Sequence, residues 1–178
     1  MDKRILETKR LYLREITEND FGALCGILQD IEVMYAWERA FSEEEVTGWI
    51  QENRKRYGHE GYSYWAVVEK EEERLIGVCG ILAEQVEGER RLGVGYIFNK
   101  NYWNQGFAFE SASACVDYAF EVLGAEEITA QIRPNNSASR RIAERLGMEV
   151  EREFIRQYRG KDMPHLLYRR KRPESSLK

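Results

Sequence analysis

What this chain has little of narrows it first. Histidine occurs twice, at His59 and His165, and cysteine three times, at Cys25, Cys79 and Cys115. An odd number of cysteines, far apart and with no CxxC pair, argues against a disulfide framework and against a zinc site. With so few histidines, no metal centre is expected. Cys115 falls on an apolar helix face, where a thiol packs as a small hydrophobe. No apolar run approaches the length of a membrane span, and Met1-Asp2-Lys3-Arg4 leads into no signal-type apolar block, so a cytoplasmic location is the expectation. Positive charge is not in excess either: 27 Lys and Arg stand against 31 Asp and Glu, a net charge of −4. That balance does not suggest a nucleic-acid binder. Arg169-Arg170-Lys171-Arg172 is a local basic run, read as a solvated strand end and tail.

Repeats, low-complexity segments and Pro/Gly/Ser linkers are also missing. The 178 residues, 43% hydrophobic and 33% charged, are expected to form one domain over residues 1–178. Such a chain is long enough for a sizeable core, and its tail from about residue 171 is expected to be flexible.

Periodicity supplies the elements. Residues 11–15 alternate apolar and charged, the pattern of a half-buried strand. Thr17-Glu18-Asn19-Asp20 reads as a helix cap before Phe21, Leu24, Ile27 and Leu28. Ser42-Glu43-Glu44-Glu45 has the form of a capping box and opens a second helix that runs to about Tyr57. Strands are expected over residues 62–69, 75–82 and 92–98, separated by the charged turns Glu71-Glu72-Glu73 and Glu87-Gly88-Glu89, as an antiparallel meander. A third helix follows Gly106, with Ala108, Ala112, Cys115, Val116, Ala119, Phe120 and Leu123 on one stripe, and Gly124 as its stop. A strand over 128–133 then lies parallel to 92–98, because a helix connects them. A short helix over 137–146 and strands around 150–158 and 163–169 complete the chain. The fold class expected is α+β: a mixed, mostly antiparallel sheet of about seven strands flanked by about four helices. Gly93-x-Gly95 lacks the third glycine and the following helix of a dinucleotide fingerprint, and no Walker-type Gly-Lys-Ser/Thr occurs.

The chemistry is concentrated in Tyr96-Ile97-Phe98-Asn99-Lys100-Asn101-Tyr102-Trp103-Asn104-Gln105-Gly106-Phe107-Ala108. This stretch reads as a strand, a glycine-centred turn and an immediate helix start. The first N–H groups of a helix lack partners and carry partial positive charge, so phosphate oxygens suit the site. Gly106 lets the backbone approach without a Cβ in the way.

Three motifs then point to one family. Gly106-Phe107-Ala108 with Glu110, after an aromatic-rich strand end, resembles the acyl-CoA loop of the GNAT superfamily of acetyl-CoA-dependent N-acetyltransferases. Pro134-Asn135-Asn136-Ser137-Ala138-Ser139, closed by Leu146-Gly147-Met148, is similar to that family's second signature, with Met in place of an aromatic. Thr8-Lys9-Arg10-Leu11-Tyr12-Leu13-Arg14 resembles the first strand of the ribosomal-protein N-acetyltransferase branch. The resemblance runs from about residue 6 to about residue 170.

It implies acetyl-CoA as cosubstrate and no metal. The strand at Tyr96, Ile97 and Phe98 would splay from its parallel neighbour and pair with the pantetheine arm, with a backbone N–H near Phe98 facing the thioester carbonyl. The loop of Trp103, Asn104, Gln105, Gly106, Phe107 and Ala108 would hold the pyrophosphate; Trp103 departs from the Gln or Arg common in the family. Asn136 would bind the pantetheine arm near the acetyl group, although its residue type also suits a helix cap. Ser139 would face the sulfur and protonate the leaving thiolate, in place of the tyrosine many members use; a serine there also makes local backbone bonds. The base is open among Glu38, Glu149, Glu151, Glu153 and His165.

The same resemblance places the segment 30–39 at the acceptor, with Trp37 and Glu38 as substrate contacts. Its aromatics and three carboxylates against one arginine would favour a cationic amine with an apolar neighbour. The first reading of function is acetylation of a protein N-terminal α-amine of the ribosomal-protein type. The alternatives are a small amine such as a polyamine, amino acid or antibiotic, and a non-catalytic acyl-CoA sensor. A homodimer is left open by the resemblance, with no nucleic-acid or membrane partner expected.

Overall fold

One eight-stranded sheet organises the computed structural model, which describes residues 3–174. The elements run β1 (Arg4–Glu7), β2 (Leu11–Arg14), α1 (Phe21–Leu28), α2 (Glu43–His59), β3 (Tyr64–Glu69), β4 (Arg74–Val86), β5 (Glu89–Phe98), α3 (Phe107–Glu121), β6 (Glu127–Ile132), α4 (Ser137–Arg145), β7 (Glu149–Tyr158) and β8 (Lys161–Lys171). The strand order is β1-β2-β3-β4-β5-β6-β8-β7. Every neighbouring pair is antiparallel except β5 with β6, as the intervening helix requires.

The expected class is therefore found, with one strand more than about seven. The extra strand is β1, whose Arg-Ile-Leu-Glu is too short to show a period, and which pairs with β2 through an irregular register. Lys171 still belongs to β8, and the Arg172 N–H donates to the Glu126 carbonyl at 2.8 Å. The expectation of a flexible tail falls in part on residues 175–178, outside the described ones.

Helices cover both faces. Leu24, Ile27 and Leu28 of α1 and Val46 and Ile50 of α2 pack with Ala66, Val78 and Ile97 on one face. The α3 stripe of Ala112, Cys115, Val116 and Ala119 is fully buried against Trp65, Cys79, Ile81 and Val94 on the other. Ser42 opens α2 with a true capping box: its Oγ accepts from the Glu45 N–H at 3.2 Å, and the Glu45 carboxylate accepts from the Ser42 N–H at 3.1 Å. At α1 the expected cap forms through a short 3-10 turn over residues 18–20 that runs into the helix: Thr17 is its N-cap in a capping box with Asp20, whose carboxylate accepts from the Thr17 N–H at 2.8 Å and pairs with Arg14.

Two hairpins run further than hydrophobicity alone suggests. β4 and β5 stay paired from Gly77↔Phe98 to Val86↔Glu89, closing on Glu87 (φ 48°) and Gly88 (φ 83°). Positive φ at both central residues matches the right-handed twist of the flanking strands. The four extra residues of β4 place Glu84 on the sheet rather than in a turn. The β7–β8 turn at Arg159 and Gly160 has the same character.

Candidate active site

The parallel seam between β5 and β6 opens almost as soon as it forms. Gly93↔Thr129 is its one registered pair, whereas β5 remains fully paired to β4 out to Phe98. Beyond Gly93 the β6-facing backbone of β5 has no strand partner, and unpaired N–H and C=O groups in a cleft call for a ligand's amides. The closed end is stitched by charge. Arg91 pairs with Glu127 at 2.9 Å and Glu151 at 3.0 Å, and Arg169 joins Glu151 at 3.0 Å. A cavity of about 680 Å³ fills the opening and continues to both faces of the sheet.

At its upper end the cavity meets the start of α3. Gly106 is the N-cap at φ 82°, with no side-chain hydrogen bond to cap the helix, and Asn104 two residues earlier is also left-handed at φ 61°. Left-handed and right-handed residues in alternation turn successive N–H groups to one side and make a concavity for an anion. The nearest acidic side chain, Glu110, is turned away. It accepts from the Thr8 hydroxyl, the Arg10 N–H and Arg10 Nε. That grip sets Arg10 against the loop, its guanidinium 4.1 Å from the Phe107 ring centre. Arg141 and Arg145 of α4 also line the cavity and make no ion pair among the described residues, Arg145 lying over the Phe109 ring. A diphosphate fits this positive, N–H-rich corner.

The expected cofactor residues largely converge. Tyr96, Ile97, Phe98, Trp103, Asn104, Gly106, Phe107 and Ala108 line the cavity together with Asn136 and Ser139. Gln105 does not; its side-chain amide donates to the Asn101 carbonyl. Trp103 donates its indole N–H to the Phe98 carbonyl at 3.0 Å, so that carbonyl is already engaged. Asn136 caps α4, its Oδ1 accepting from the Ser139 N–H at 3.2 Å, which leaves its Nδ2 donors for a ligand. Tyr96 brings more than its backbone. Its hydroxyl donates to the Ser139 carbonyl at 3.0 Å, and burial pushes the phenol up, so it stays protonated.

The face of the sheet opposite α3 holds groups that sequence reasoning missed. Gly93 and Gly95 point toward it, and each makes room for a side chain. A Cβ at Gly93 would stand 2.6 Å from Glu84 Oε2, and one at Gly95 would stand 2.5 Å from the Tyr64 hydroxyl. Glycine in a strand interior often marks such a close approach, so Gly93-x-Gly95 was the available signal. Glu84 thus lies at the closed end of the opening, accepting from Gln131 Nε2 at 2.6 Å. Burial raises its carboxyl, while Gln131 and the charges of Arg156 and Arg56 draw it down.

His165 lies on the same side. Its Nδ1 stands 3.0 Å from the Met163 carbonyl, so the proton belongs on Nδ1 and the lone pair on Nε2. Burial lowers its pKa, assisted by Arg156 and Arg133, and keeps the ring neutral at pH 7. Glu149 and Glu153 do not reach the cavity. Glu151 does not either, and Arg91 holds its carboxyl low within the ion network.

Trp37 lines the cavity as expected, beside Tyr35 and Tyr158. Glu38 does not. It stands at φ 62° with its carboxylate between Lys161 and Arg133. Asp30 and Glu32 are also outside, both paired with Lys100. The expected acidic acceptor lining is therefore corrected. Intramolecular cations neutralise those carboxylates, and Glu84 is the one acidic residue among the lining residues described.

Comparison with known proteins agrees with this geometry. Residues 10–149 match the family model of the GNAT acetyltransferase domain. The Bacillus subtilis (strain 168) protein YkkB is 32% identical over 170 residues, covering 95% of this chain and 96% of its own. The N-acetyltransferase YoaA of the same organism is 34% identical over 156 residues, covering 86% and 87%. A GNAT-family acetyltransferase from Bacillus anthracis superposes with a TM-score of 0.79 at 26% identity, covering 93% of this chain and 97% of that one. The chain belongs to the GNAT acetyltransferase family. It is an acetyl-CoA-dependent N-acetyltransferase.

Proposed function

We propose that this enzyme transfers acetyl directly from acetyl-CoA to an α-amine, with Glu84 as the proton acceptor. The observation that carries this is the half-buried Glu84 carboxylate on Gly93, where the β5–β6 seam begins to open. The N-terminal start of α3, with Arg10, Arg141 and Arg145 around it, would hold the diphosphate. The free β5 edge and Asn136 Nδ2 would hold the pantetheine amides.

The step balances within these groups. The acceptor nitrogen forms a bond to the thioester carbonyl carbon as the carbon–sulfur bond breaks. The nitrogen's proton passes to the Glu84 carboxylate, and the departing thiolate takes a proton from the Ser139 hydroxyl, which makes no other hydrogen bond among the described residues and is reprotonated through solvent as Glu84 gives up the proton it received. A thiolate with a pKa near ~8.5 needs little help, and an α-amine near ~8 is partly neutral at physiological pH, unlike a lysine near ~10.4. One carboxylate of raised pKa suits such an amine.

A protein N-terminus of the ribosomal type is the acceptor suggested by residues 8–14, whose sequence resembles that branch. A small amine is favoured by a different observation: segment 35–39 roofs the acceptor side. Arg133 Nη1 donates to the Ala36 carbonyl at 2.9 Å, Lys161 pairs with Glu38, and Arg159 pairs with Glu45 at 3.3 Å. Free-thiol release measured over a panel of N-terminal peptides and small amines separates the two. Glu84→Gln should lower turnover about 10²- to 10⁴-fold, the usual worth of a positioned base, and leave acetyl-CoA affinity unchanged. Unaltered turnover would remove Glu84 from the reaction.

A further inference from the structure

Most arginines of this chain face a carboxylate, among them Arg10, Arg14, Arg39 and Arg91. Arg156 of β7 does not. It lines the acceptor side of the cavity, and its one hydrogen bond among the described residues goes to a neutral atom, Gln131 Oε1, at 3.2 Å. A guanidinium carries five N–H donors in a planar fork that matches a carboxylate. Behind it Arg133 is held largely by neutral partners, the Ala36 carbonyl and Met163 Sδ, with Glu38 no nearer than 3.6 Å and its own Nε buried without a partner. The neighbouring His165 is neutral. Arg133 is shared with Glu38, so Arg156 is the lining arginine on the acceptor side that makes no ion pair among the described residues.

We infer that the acceptor amine carries a carboxylate within two or three bonds, and that Arg156 receives it while Glu84 receives the amine. This rests on the direct-transfer reading above. Gln131 sets the spacing. Its amide donates to Glu84 and accepts from Arg156, so the two charges are separated by one amide and two hydrogen bonds, roughly 8 Å at most. An amine and a carboxylate on one α-carbon, each about 2.9 Å from its partner, bridge that span. The rings of Trp37, Tyr35 and Tyr158 are left for an apolar side chain. A polyamine would set a second ammonium against Arg156, and like charges so placed repel.

The shared chemistry has two sources, a free amino acid and a peptide whose first residue is Asp. Thiol release is measured with L-phenylalanine against L-phenylalaninamide, and with an Asp-Phe peptide amide against the Asn-Phe one. The neutral member of the first pair has the less basic, more readily deprotonated amine, so a preference for the acid runs against the larger neutral fraction of the amide. We expect kcat/KM at least tenfold higher for the charged member of one pair, and which pair responds identifies the source. In Arg156→Gln that preference should collapse through KM, the ratio of charged to neutral member falling to about one. Equal use of charged and neutral members, or a preference unchanged in Arg156→Gln, would overturn the inference while leaving the transferase reading intact. Acetyl-CoA binding with no turnover on any of the four, nor on other N-terminal peptides and small amines, would overturn both.

Discussion

Replacing Gly93 by alanine sets one methyl group against the carboxylate on which the proposed chemistry depends. The new Cβ would stand 2.6 Å from Glu84 Oε2 and 3.2 Å from its Cδ, whereas the β6 backbone, at Thr129 O, is at an ordinary 3.5 Å. Relief therefore comes from the Glu84 side chain. Its oxygen retreats from 2.6 Å to the 3.4 Å of ordinary contact, about 0.8 Å, and the 2.6 Å bond from Gln131 lengthens with it. Displacing a reacting group by about 1 Å costs on the order of 100-fold in rate. Stability should change little. The loss of a hydrogen bond, about 0.5–1.5 kcal/mol, is offset by the lower entropy of the unfolded chain with alanine, about 0.4–1 kcal/mol. A net change within about 1 kcal/mol moves Tm by no more than about 4 °C in a domain of this size. Turnover by free-thiol release at saturating acetyl-CoA should then fall about 100-fold, with acetyl-CoA affinity by calorimetry unchanged. The double variant with Glu84→Gln should lose nothing further beyond Glu84→Gln itself, since both act on one group. A folded Gly93→Ala enzyme with turnover within about twofold of the parent would refute the reasoning.

Other positions test other parts of the site. Gly106→Val puts a β-branched residue at φ 82° in the helix-start loop, and calorimetry should show acetyl-CoA binding abolished; unchanged affinity would count against the loop as the diphosphate site. Ser139→Ala should lower turnover while acetyl-CoA affinity stays near normal, and full activity would remove the hydroxyl from the mechanism. Arg39 holds the Glu45 carboxyl down at about 2, well below the ordinary 4.5. A depressed carboxyl stabilises the fold above its unfolded value and loses that effect as pH falls through the folded one. Glu45→Gln should thus lower Tm at pH 7, and the gap from the parent should close steadily between pH 4.5 and about 2.

Where local chemistry decides conformation, the sequence was readable. The capping box at Ser42, the strand-turn-helix at Gly106 and the Asn136 helix start all form as their residue types dictate, because each depends on backbone groups a few residues away. Their order and spacing also carried the family. β1 was not legible, since four residues show no period. The length of the β4–β5 hairpin was hidden too. Glu84, Gln85, Glu89, Arg90 and Arg91 look like turn residues, yet they pair across the ladder because the two-residue turn at Glu87 and Gly88 continues the strands' twist.

The electrostatics of the acceptor side show the limit most clearly. Counting charges along residues 30–39 gave an acidic wall, but a carboxylate's effect on a ligand depends on which cation faces it. Lys100, Lys161 and Arg133 come from elsewhere in the chain and neutralise that wall. Glu84, Arg156, Gln131 and His165 lie on four different strands, and only the sheet's register brings them to one face. The fold class and the reaction class were legible in the sequence, through motifs whose residues are near neighbours in the chain. The proposed base and the charge presented to the acceptor depend on tertiary structure, because Coulomb forces and burial act through space and take no account of position along the chain.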